Sequence, residues 1–124
     1  MVSPDGTQLA YLSFQSPIAS AAQLKILTLA DGHVTTLDLP GLTSLSSLDW
    51  APDGKGFYAT HQERPDSTGR GVATLYYIPR QGKPVAMYSA TEAAPVWAVP
   101  SHDGKRLAFH VRTHKRNVWT LENF

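Results

Sequence analysis

The chain contains no cysteine among its 124 residues. That excludes disulfide staples and thiolate metal sites, and it leaves the redox compartment unread. Charge is scarce too. Asp, Glu, Lys and Arg make up 17% of the residues, and the formal net charge is +1. Such a chain has neither the composition of a disordered tail nor the field that gathers nucleic acid or an anionic membrane. No apolar run approaches the roughly 18 residues that span a bilayer. The first residues lack the basic start and apolar core of a signal peptide, so the compartment, periplasmic or cytoplasmic, stays open. The motifs of catalysis are missing as well. There is no Gly-x-Ser-x-Gly elbow, no His-Glu-x-x-His, and no Gly-rich phosphate loop before Lys-Ser/Thr.

What the chain does have is a 42% hydrophobic composition and an internal repeat. Ser3-Pro4-Asp5-Gly6, Ala51-Pro52-Asp53-Gly54 and Ser101-His102-Asp103-Gly104 each introduce a short apolar run. The Asp residues stand 48 and then 50 positions apart. A period of that length marks a repeat architecture in which no unit buries its faces alone. Pro presets φ at the second position of a type I turn, Asp bonds its own local backbone, and Gly accepts φ > 0. Asp5, Gly6, Asp53, Gly54, Asp103 and Gly104 are therefore structural turn formers. Their repeated placement also predicts that they stand far apart and do not converge on one site.

Strand-like runs flank each turn. The middle repeat reads as four: Ser44–Trp50, Gly56–Thr60, Ala73–Ile78 and Val85–Ser89. Its last turn is Pro79-Arg80-Gln81-Gly82, matched earlier by Ala30-Asp31-Gly32-His33. Third strands match across repeats: Leu24–Leu27, Leu75–Ile78 and Val118–Leu121. The best helical candidate, Ile18–Leu29, yields to β on this match. Second strands carry consecutive apolar residues (Leu9-Ala10-Tyr11-Leu12, Leu107-Ala108-Phe109), as strands buried on both faces do. Four-stranded sheets stacked about an axis bury faces in this way.

The sequence Trp50-Ala51-Pro52-Asp53-Gly54-Lys55, a β run, and then Leu75-Tyr76-Tyr77-Ile78 resembles the TolB-type, WD-like β-propeller repeat. The resemblance covers essentially the whole chain. His102 departs from its usual Pro, and Pro100 stands where the middle repeat has Trp50. The resemblance implies an all-β fold, a partial propeller of about two and a half to three four-stranded antiparallel blades. Blade 1 covers about 1–41, blade 2 about 42–92 and blade 3 about 93–124. The first strand of blade 1 is cut to Met1-Val2-Ser3, and blade 3 lacks its outer strand. Propellers need at least four blades. Two explanations stay open: the C-terminal part of a longer propeller, or pairing with a second copy.

Candidate site residues are few. His102, His110 and His114 have no acidic or thiol partner at ligand spacing, so no metal and no cofactor is expected. Arg112-Thr113-His114-Lys115-Arg116 is basic but lacks interleaved aromatics, and reads as a solvated hairpin. Trp50, Trp97, Trp119, Tyr76 and Tyr77 read as packing between blades. The loop His61–Gly71 is longer than a hairpin needs. Loops on the side opposite the Asp-Gly turns vary most, and binding gathers on such loops. Arg64, Asp66, Arg70 and Arg112 are the expected contacts. The leading reading is a non-catalytic module that binds a protein or small ligand, within a larger bacterial sensor or regulatory protein. The alternatives are the propeller cap of a prolyl-oligopeptidase-type hydrolase and a self-associating half-propeller. Neither nucleic acid nor membrane is expected as a partner.

Overall fold

A computed structural model of the chain describes residues 1–13, 21–63, 71–91 and 93–113. The described residues form nine strands and no helix: β1 (Gln8–Ser13), β2 (Ala21–Thr28), β3 (Val34–Pro40), β4 (Leu45–Trp50), β5 (Gly56–Gln62), β6 (Val72–Pro79), β7 (Val85–Thr91), β8 (Ala93–Pro100) and β9 (Leu107–Thr113). They make three antiparallel meanders, β1-β2-β3, β4-β5-β6-β7 and β8-β9. We refer to these as the first, middle and third sheets. The expected third strand Val118–Leu121 lies outside the described residues.

The helical option at Ile18–Leu29 gives way to β2 because its burial has a period of two. Ala22, Leu24 and Ile26 are buried, and Gln23 and Lys25 between them are less so. The shortened opening strand is also in place. Val2 bridges Leu9, the Ser3 N–H donates to the Gln8 carbonyl (2.8 Å), and the Ala10 N–H donates to that of Met1 (2.8 Å).

Each Asp-Gly turn closes alike. The Gly N–H donates to the carbonyl three residues back, at 2.9 Å in every copy (Gly6 to Ser3, Gly54 to Ala51, Gly104 to Ser101). The three Gly residues take φ of 73°, 68° and 69°. That is the left-handed region, where a Cβ is disfavoured. A bulge also repeats. The register of β4 against β5 shifts between Leu45 and Ser47, and that of β8 against β9 shifts at the equivalent Pro95 and Trp97.

The sheets pack face to face in chain order. Ala10, Leu24, Ile26 and Leu39 of the first sheet share one apolar cluster with Trp50, Phe57, Ala59 and Ile78 of the middle sheet. Trp50 ties the two together, since its indole Nε1–H donates to the Met1 carbonyl at 3.0 Å. On the opposite face of the middle sheet, Thr60 and Leu75 are each only 1% exposed. β8 lies against this sheet, and the Tyr88 and Phe109 rings meet at 5.0 Å. Thr60 is tolerated there because its hydroxyl and N–H both reach Ser47 Oγ, at 3.0 and 3.2 Å.

One expected packing residue is not in the core. Trp97 is 52% exposed. It sits on the face of β8 turned away from the middle sheet, and no described sheet covers that face.

Gly56 has a steric role that turn chemistry does not require. A Cβ there would stand 2.6 Å from the Tyr77 ring and 2.8 Å from the Ile78 carbonyl oxygen. Gly54→Ala, in open space but at positive φ, should destabilise the fold by about 1 kcal/mol. Gly56→Ala should cost about 2 kcal/mol, because the Ile78 backbone must move. Urea denaturation midpoints of the two variants check the order.

Candidate functional site

The turns build their own geometry first. Asp5 Oδ1 accepts hydrogen bonds from Ser3 Oγ (2.6 Å), Thr7 N–H (3.0 Å) and Thr7 Oγ1 (2.8 Å). Asp103 Oδ1 accepts from Ser101 Oγ (2.6 Å) and Lys105 N–H (3.1 Å). Asp53 Oδ1 accepts from Lys55 N–H (3.0 Å). Ala51 stands where the other copies have Ser, so this copy lacks the hydroxyl donor. Donors favour the charged carboxylate. The Ser3 hydroxyl, then Thr7, bring Asp5 from the ordinary 3.8 to about 2. The Ser101 hydroxyl, then the Lys105 amide, lower Asp103.

Contrary to the sequence expectation, neighbouring turns converge. The second and third turns open a cleft of about 550 Å³ lined by Ala51, Pro52, Asp53, Tyr58, Tyr77, His102, Asp103 and Gly104. Face-to-face packing of consecutive sheets brings equivalent turns side by side, so Asp53 and Asp103 both line the space between them. The first and second turns flank a smaller cleft of about 140 Å³, reached by Trp50 and Arg80. There the Arg80 guanidinium carbon lies 5.9 Å from the centre of the Trp50 ring, a cation–π distance.

Tyr58 and Tyr77 are directly opposed on β5 and β6, and their rings are 5.6 Å apart. The absent Cβ of Gly56 lets the Tyr77 ring lie against the backbone. Burial, then the charge of Asp53, raise the Tyr77 hydroxyl above 10.0, so it remains a neutral donor. The cleft therefore offers two carboxylates, two phenols and an imidazole. Such an arrangement can hold a polar group by hydrogen bonding.

Tyr58, Tyr77 and His102 were not recognised from sequence as neighbours. One signal was present: the second Gly of Gly54-Lys55-Gly56 begins a strand, where Gly marks close approach of another group. Of the residues expected on the loop side, Arg64, Asp66 and Arg70 lie outside the described residues. Arg112 belongs to β9 opposite Ala94, and its side chain is likewise outside them. His114 and Trp119 are also outside. His110 is exposed on β9, and no group of three or more metal-ligating side chains occurs among the described residues.

Comparison with protein-family models, with curated proteins and with solved structures finds no match.

His61 stands apart from the cleft. It is 6% exposed, and its Nε2 is the one buried side-chain polar atom without a hydrogen-bond partner among the described residues. Burial lowers its pKa from 6.5, against a smaller opposing pull from Glu63. The folded chain therefore resists a proton that the unfolded chain accepts. Stability should be full above about pH 6.5 and fall as the pH drops toward the folded value. His61→Leu should flatten that slope. Urea midpoints at about pH 7.5 and about pH 5.5, where an unperturbed imidazole changes charge, check this for both proteins.

Proposed function

We propose that this chain is a non-catalytic binding module made of consecutive TolB-type β-propeller blades. Its ligand, a small molecule or a protein loop, enters the cleft between the second and third Asp-Gly turns. The carrying observation is the alignment of equivalent turns along one edge of stacked antiparallel sheets, with the 550 Å³ cleft between two of them. The propeller reading draws support from sheets that follow chain order and from the opening strands of the middle and third sheets, which carry a bulge at the equivalent position. Radial repetition of such sheets is what makes a propeller.

Binding rather than catalysis is supported by what the cleft residues already do. Both carboxylates spend Oδ1 on their own turns, and Tyr77 is held as a neutral phenol. Polar groups converging on a concave site fix the orientation of a bound ligand.

A library of small soluble amines, carboxylates and sugars, added to isotope-labelled protein, tests this by amide chemical shifts. Binders should move the amides of Ala51–Gly54 and His102–Gly104, and Tyr77→Phe should weaken them about tenfold, the loss of one hydrogen bond of about 1.4 kcal/mol. Shifts confined to Glu63, Val72 and Thr113 would place binding at the loop side instead. Binders that ignore both regions would reject the site.

A further inference from the structure

The two outer faces of the described stack expose apolar side chains at positions that pack between sheets elsewhere in the molecule. On the outer face of the third sheet, Trp97 and Val99 are 52% and 50% exposed, beside exposed Ala108 and His110. On the outer face of the first sheet, Tyr11 is 39% and Val34 41% exposed, beside half-buried Leu9 and Leu27, with the polar Lys25, Thr36 and Asp38 on the rest of that face.

The repeat identifies what these positions do elsewhere in the fold. Counting from the Asp-Gly turn, Leu9 and Tyr11 are the equivalents of Phe57 and Ala59. Phe57 and Ala59 are fully buried where the middle sheet receives the first. Trp97 and His110 are likewise the equivalents of Ser47 and Thr60, a directly paired couple on the face that meets the third sheet. Both outer faces thus carry positions that are used for sheet-on-sheet packing inside the molecule. They are also complementary in kind. The third sheet presents the face that leads forward to a next sheet, and the first sheet presents the face that receives a preceding one.

We propose that the chain associates head to tail, with the first sheet of a second copy packed through Leu9, Tyr11 and Val34 on Trp97 and Val99. The junction continues the packing of first on middle and middle on third sheet. It is heterologous, so copies close into a ring or extend as the rotation dictates. The proposal rests on the observed stacking and is independent of any ligand in the cleft.

Sedimentation velocity of the full chain over a concentration series tests it. The wild type should run above the mass of a single 13.5 kDa chain. Trp97→Glu and Tyr11→Glu should each reduce it to monomer, with circular dichroism unchanged from wild type. Val99→Lys and Val34→Lys provide a second pair should either Glu variant lose its β spectrum. The discriminating result is the equimolar mixture of one variant from each face. It should recover a dimer, because a third sheet and a first sheet that are both intact remain to form one junction. A monomeric wild type throughout the series overturns the proposal. So does association lost with Trp97→Glu but kept with Tyr11→Glu, which would mean a symmetric contact between third sheets, or a mixture that stays monomeric.

Discussion

The constraint on which the rest depends is that one strand, β5, must be buried on both of its faces at once. Phe57 and Ala59 point into the cluster shared with the first sheet, and Thr60 points toward the third. Side chains on a strand alternate between faces, so every residue of β5 belongs to one junction or the other. A shift of register by one residue would exchange the two sets and leave Tyr58 where Phe57 must fit. The turn that begins β5 therefore has to be exact, and the Asp53-Gly54 pair supplies this by setting where the strand starts. Trp50 then packs on Phe57 at 4.3 Å and reaches back to the Met1 carbonyl, so the same hairpin that sets the register also anchors the first sheet.

The cleft follows from that packing rather than from any separate device. Stacking two sheets face to face places their equivalent turns next to each other, and the space between is closed by whichever side chains the strands carry there. On the middle sheet those are Tyr58 and Tyr77, held in place because Gly56 has no side chain. The polar character of the site comes largely from residues whose first duty is structural. Asp53 and Asp103 shape their turns through Oδ1, and their carboxylates still border the cleft. A cleft built in this way carries little local sequence signal, since its most polar members look like turn formers.

The outer faces show the same logic from the opposite side. A position filled by Phe57 in the middle sheet is filled by Leu9 in the first, and the neighbouring Tyr11 is exposed because no described sheet covers that face. Repeats conserve the requirement to pack even where the described structure supplies nothing to pack against. Sheet-on-sheet burial stabilises by about 25 cal/mol for each Å² of apolar surface removed from water.

The amino-acid sequence by itself determined the all-β class, the antiparallel order of strands, and the strand bounds of the middle repeat to within two residues. It did so because turn chemistry and side-chain alternation are local. Asp5, Gly6 and Ser3 act on one another within six residues, and the alternation of Ala22, Leu24 and Ile26 is visible without any partner strand. Only the tertiary structure decided which turns meet, that Trp97 faces outward while Trp50 is enclosed, and that His61 is buried with an unpaired nitrogen. Each of these depends on how one sheet is placed against the next. That placement is set by the summed fit of side chains 33 and 52 positions apart, from Leu24 through Phe57 to Phe109, and no short stretch of the chain contains it.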